Sequence, residues 1–133
     1  MFKKIDHVEI VSAEPDRSVT FYTDVLGFTI KSREHIERSS IGVPMDLVYL
    51  DLAGTMIELI TYRGGSVAPA PDKTHLGYRM MALEVDDMQQ TVAYLQAKGV
   101  EIVWGPRVRE GLYARAEIRD PDGNHIELRQ WFR

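Results

Sequence analysis

The tripeptide Ile-Glu-Leu occurs twice, in Thr55-Met-Ile-Glu-Leu-Ile60 and in Asp120-Pro-Asp-Gly-Asn-His-Ile-Glu-Leu128. Asp-Pro-Asp-Gly is a tight-turn sequence that delivers the chain into a strand, where His125 and Glu127 share one face and Ile126 and Leu128 the other. Glutamate is disfavoured in strands, so its presence in both copies asks for a reason. That polar face is either washed by solvent or lines a cavity that uses a carboxylate. Near the start of the chain, Ile5-Asp-His-Val-Glu-Ile-Val-Ser12 reads as a strand that places His7 and Glu9 on one face. A single strand histidine is equally a hydrogen-bonded core residue, and His7 gains interest only from a pairing with Glu58 and Glu127. His125 and Glu9 read as supporting pocket residues, while His35 and His75 read as solvated. Arg79, Arg115 and Arg129 suit an anionic substrate, although arginine on a strand is usually exposed.

The elements that must position these side chains come in two similar runs. After the first strand, Pro15 suits a first helical turn, and Val19, Phe21, Tyr22 and Val25-Leu26 form an apolar stripe of about three turns ended by Gly27. Phe28 to Arg33, Val43 to Leu52 and Thr55 to Tyr62 follow as strands, with ladder pairing in the second of these beginning only after Pro44. Residues 63–76 concentrate Gly and Pro and form a linker. The order then restarts. Tyr78 to Val85 is a strand, Asp86-Asp87 begins a helix carrying Val92, Tyr94 and Leu95, and Gly99 stops it. Val100 to Trp104, Leu112 to Ile118 and Asn124 to Trp131 are three more strands. An offset of about 73 residues superposes the halves, bringing His7 over Met80. Phe21, Tyr22 and Tyr94 are core candidates by their helical spacing, and Trp104 and Trp131 suit a cavity mouth or a contact between subunits.

A chain of 133 residues with 44% hydrophobic and 27% charged residues is expected to form a single domain over 1–133, with modules at about 4–62 and 77–133. The net charge of −4 argues against a nucleic-acid partner, and no apolar run has the length of a membrane span. The absence of cysteine and of a signal-peptide pattern at the first residues makes a cytoplasmic location the expectation.

Four segments together resemble the vicinal oxygen chelate superfamily, which includes glyoxalase I, methylmalonyl-CoA epimerase, extradiol dioxygenases and bleomycin resistance proteins. They are Asp6-His7-Val8, Phe21-Tyr22-Thr-Asp-Val-Leu-Gly-Phe28, Ala82-Leu-Glu-Val-Asp-Asp87 and Asp120 to Leu128. The resemblance implies an α+β fold of paired βαβββ modules, in which a curved, U-shaped mixed sheet carries its helices outside. It also implies a homodimer and a divalent metal ion (Zn, Ni, Mn, Co or Fe). The metal positions it implies fall on His7, Glu58, Met80 and Glu127. Met80 departs from the family's usual histidine, and a thioether is a poor ligand in such an oxygen and nitrogen site. The metal is then held by His7, Glu58 and Glu127 with water, joined by His125, or it is absent and Met80 lines an apolar pocket.

Two function classes follow. The first is a metal-dependent lyase or isomerase acting on a small carbonyl or thioester substrate through an enediolate, with Glu58 or Glu127 as the base. The second is a metal-free protein that binds a small molecule or drug in the manner of the bleomycin resistance proteins. An extradiol dioxygenase is a further alternative that needs His125 to complete its ligand set.

Overall fold

The computed structural model describes all 133 residues. They divide into two compact units, Met1–Pro69 and Ala70–Arg133. The first holds β1 (Val8–Val11), α1 (Pro15–Thr20), β2 (Thr29–Ile36), β3 (Met45–Leu52) and β4 (Thr55–Tyr62). The second holds β5 (Met81–Glu84), α2 (Met88–Ala97), β6 (Trp104–Arg109), β7 (Tyr113–Arg119) and β8 (His125–Trp131). Each unit is thus a βαβββ module with its own open, mixed four-stranded sheet, ordered β1-β4-β3-β2 in one and β5-β8-β7-β6 in the other. This is the α+β architecture expected from the sequence.

The last strand of each module is central, parallel to the first strand and antiparallel to the third. Such a strand is flanked on both sides, so its side chains are covered wherever a neighbour is large enough. One face of each sheet packs on its helix. In the first unit α1 lies on β4, and Val19, Tyr22, Leu50 and Leu59 are buried there. In the second, α2 packs on β8 with Met88, Leu95, Ile118, Ile126 and Leu128 buried. Asp87 caps α2 by accepting from the Gln90 amide at 2.8 Å, and the Gln130 side chain accepts from the Met88 amide, tying the helix start to β8.

Several elements differ from the sequence reading. The first strand begins at Val8, because Ile5 is left in solvent with no partner strand beside it. The three-turn helix is a six-residue α1 continued by a π-helical turn, Phe21–Val25, whose wider winding lets the Leu26 amide reach the Phe21 carbonyl at 3.1 Å. The strand expected over Tyr78 to Val85 shortens to Met81–Glu84, leaving Met80 just outside it. The strand expected from Val100 to Trp104 instead starts at Trp104, since the Val100 amide is drawn back to the Leu95 carbonyl of α2.

The β6–β7 register shifts between Trp104 and Arg107, and Gly105 sits at that irregularity with φ +80°. A Cβ there would lie 2.7 Å from the Arg115 carbonyl oxygen. Both the dihedral and the contact demand glycine. Gly105→Ala should therefore destabilise the protein by roughly 1–3 kcal/mol, read as a lowered Tm. An unchanged Tm would show that β6 can move away from β7.

Candidate functional site

Sheet register decides which polar groups meet. Glu58 on β4 pairs with Glu9 on β1 and with Tyr49 on β3. Two residues before Glu9, on the same face, stands His7. Its Nε2 lies 2.9 Å from Glu58 Oε2, while its Nδ1 lies 2.9 Å from Asp6 Oδ2. The Tyr49 hydroxyl donates to the Glu58 carboxylate, and its ring meets the His7 ring edge-on at 5.6 Å. The result is a connected set running Asp6, His7, Glu58, Tyr49 on the face of the sheet that turns away from α1. Asp6, through its hydrogen bond, holds the His7 pKa above its ordinary value, helped by the charge of Glu58. Accepting the phenol's hydrogen bond, Glu58 pushes the Tyr49 pKa up to about 12. Tyr49 therefore remains a neutral donor across the physiological range.

In the second unit the same register recurs with other side chains. Glu127 on β8 pairs with Ala82 on β5 and Glu117 on β7. Position by position, Met80 answers to His7, Ala82 to Glu9, Glu117 to Tyr49 and Glu127 to Glu58. Two buried carboxylates thus face each other across the β7–β8 ladder, which costs energy unless each is neutralised. Arginines do this. Arg129 binds Glu127 through Nε at 2.7 Å and also through Nη2. Arg115 Nη2 donates to Glu117 Oε1 at 2.9 Å, and its Nε faces Glu127 Oε1 at 3.7 Å. Arg115 stacks on Trp104 at 4.6 Å, and Arg129 lies over Tyr113 at 4.0 Å and Trp131 at 4.8 Å. Such stacking holds the guanidinium planes in place.

The structure brings His7 and Glu58 together and places Glu9 beside Glu58 in the ladder. In the other unit it sets Glu127, His125 and Met80 along one face. Tyr49 and Glu117 are the polar residues of these faces that the sequence reading did not single out. Glu117 carried a usable signal, being a further glutamate within an otherwise strand-forming run, Tyr113 to Arg119. Tyr49 carried none, because tyrosine is ordinary in a strand.

The donor set tests the metal that the resemblance implies. In the first unit an imidazole nitrogen and a carboxylate oxygen point at one another, and a second carboxylate fixes the imidazole from behind, an arrangement suited to a divalent ion. The second unit does not match it. Glu127 is occupied by Arg129 with Arg115 beyond it, and the Met80 sulfur is approached by Arg79 Nη1 at 3.8 Å. A cation placed at those positions would meet guanidinium charge, and within neither unit do three His, Asp or Glu side chains converge as a ligand cluster. The four-ligand centre does not fit these residues.

Two modules of βαβββ order, each carrying a glutamate at the middle of its last strand, define a protein of the glyoxalase-like class. A family model described as "Glyoxalase/Bleomycin resistance protein/Dioxygenase superfamily" matches residues 4–128, and the chain belongs to that superfamily. It is 31% identical over 129 residues to a protein of Vibrio cholerae named "Probable lactoylglutathione lyase", covering 96% of this chain and 90% of that one. It is 30% identical over 132 residues to "Uncharacterized protein YaeR" of Escherichia coli, with 95% of each chain covered. Among solved structures, a glyoxalase family protein from Bacillus cereus shares the fold with a TM-score of 0.86 at 23% identity, covering 100% of this chain and 97% of that one. No helix of the chain is long and apolar enough to cross a membrane.

The pKa of His7 gives a direct test of the first set. Because it is raised, the stability His7 contributes is fully present below about pH 6.5 and is lost as pH climbs through the folded-state value. Titration of the His7 ring by NMR should give a midpoint above the ordinary one, and Asp6→Asn should lower it. A midpoint unmoved by that substitution would break the link between Asp6 and His7.

Proposed function

We propose that the protein is a lyase or isomerase that moves a proton α to the carbonyl of a small carbonyl or thioester substrate, with Glu58 as the base. The observation that carries this reading is a buried glutamate held between an imidazole and a neutral phenol on the face opposite the helix. In the first step Glu58 takes the proton from carbon, the C–H electron pair becomes the C=C bond, and the carbonyl π pair moves to oxygen. The resulting oxyanion accepts a hydrogen bond from His7 Nε2–H or the Tyr49 hydroxyl. For an isomerisation Glu58 then returns the proton to the former carbonyl carbon while the hydroxyl proton of the first carbon passes to the oxyanion. For an epimerisation a water on the opposite face supplies the proton to the first carbon and Glu58 gives its own to solvent. Enolisation assisted by a phenol and an acid, without an ion, is established chemistry. The curated relatives named as lactoylglutathione lyases support the substrate class.

Met80 and the arginine-bound Glu127 favour a second reading, a metal-free binding protein that holds a small molecule without turning it over. A homodimer and a cytoplasmic setting belong to both readings.

Incubation in D₂O with hemithioacetals of methylglyoxal and with epimerisable CoA thioesters should show exchange of the α proton by NMR. Glu58→Gln should slow it by about 10²–10⁴-fold in protein that remains folded by circular dichroism. Equal rates in the two proteins would remove Glu58 from its role, and saturable binding with no exchange in either would favour the binding protein. Elemental analysis should find substoichiometric transition metal, and dialysis against a chelator should leave the rate unaltered. Stoichiometric metal that disappears in Glu127→Ala would instead restore the centre of His7, Glu58 and Glu127 expected from the sequence.

A further inference from the structure

The second unit contains a cavity of about 90 Å³ that the proton-transfer reading does not use. Asp72, Lys73, Arg79, Met80, Glu117 and His125 line it. That volume is several times the roughly 10–15 Å³ that a cavity needs to hold one water, enough for one small polar head group. We propose that it receives a zwitterion, the ammonium and carboxylate of an α-amino acid group, whether free or as the end of a larger small molecule.

The charges of the wall decide this. Glu117 is buried at the cavity, and its Oε1 accepts from Arg115 at 2.9 Å while facing Arg79 Nη2 at 3.7 Å. Its Oε2 has His125 Nδ1 at 3.8 Å, too far for a hydrogen bond. One carboxylate oxygen is thus directed by Arg115 and the other is turned to weakly held company. Arg79 is well exposed, and its contact with Glu117 is loose. A simple anion would meet Glu117 and Asp72. A metal cation would meet Arg79, Arg115 and Lys73. An apolar group would leave these charges desolvated and unpaired. A zwitterion inserts into the loose Arg79–Glu117 pair with both signs satisfied, its ammonium donating to Glu117 Oε2 and its carboxylate accepting from the Arg79 guanidinium. Lys73 and Asp72 repeat the same two signs in the loop that borders the cavity.

The site lies wholly within the second unit and uses neither Glu58 nor its partners. Calorimetric titration of the full chain with L-alanine, N-acetyl-L-alanine and L-alaninamide separates the ligand classes, the latter two keeping only the carboxylate or only the ammonium. L-alanine should bind at least about tenfold more tightly than either analogue, the difference one charge-assisted hydrogen bond makes. Arg79→Met should reduce L-alanine binding to the level of L-alaninamide, and Glu117→Gln to that of N-acetyl-L-alanine, with Arg63→Met as the unaffected control. Arg79 is exposed, so its variant should fold even if removing the Glu117 charge disturbs Arg115. N-acetyl-L-alanine binding as tightly as L-alanine would make this an anion site and overturn the proposal. No saturable heat with L-alanine, or binding unaltered by Arg79→Met, would overturn it as well.

Discussion

The constraint on which this molecule depends is the burial of a carboxylate in the middle of a central strand. Glu58 and Glu127 are only 6% and 9% exposed, and each lies on a strand paired on both sides. A charge so placed must find partners among the residues that the ladders bring alongside it. Because the last strand of each module is parallel to the first and antiparallel to the third, those partners are set by register. The first module answers with His7 and Tyr49. The second answers with Arg129 and Arg115, and it carries the additional charge of Glu117 across the ladder.

These two solutions differ in what they leave free. An imidazole and a phenol can both donate, and the imidazole can exchange a proton near neutral pH, so the Glu58 set is able to move a proton. Guanidinium groups stay charged, and they clamp Glu127 in one geometry. Stacking on Trp104, Tyr113 and Trp131 stiffens that clamp further. Two modules with one backbone plan thus have unlike electrostatics, one buried carboxylate partnered by titratable and neutral donors and the other by permanent cations.

Much of this was legible in the sequence where local signals agreed. The β-α-β-β-β order was readable twice because Pro15, Gly27, Asp87 and Gly99 mark helix ends and the strands are rich in β-branched residues. The pairing of His7 with Glu58 was readable through the resemblance and the repeat. What failed was set by pairings that the local pattern does not display. A strand pattern at Ile5 did not pair, since no neighbour reached it, and Val100 was captured by the end of α2. The arginine cover on Glu127 was not legible either. Arg115 and Arg129 looked like ordinary exposed strand residues until register placed them beside Glu117 and Glu127. Tyr49 became a partner of Glu58 only once β3 was aligned on β4.

The position of Met80 joins these points. Histidine there would bring a second imidazole to the Glu127 face, to balance the carboxylate when protonated or to share an ion with it. Methionine can do neither, so Glu127 would be a buried charge without compensation unless a cation arrived from elsewhere on the face. Arg129, two residues along β8, reaches it without any change of backbone, because i and i+2 side chains of a strand lie on one side. Relative to the histidine that the resemblance implies at position 80, Arg129 gives Glu127 a permanent positive partner rather than a titratable or metal-sharing one. Glu127 is thus held by a permanent cation, whereas Glu58 is partnered by an imidazole and a phenol, and the proposed role of Glu58 rests on that contrast.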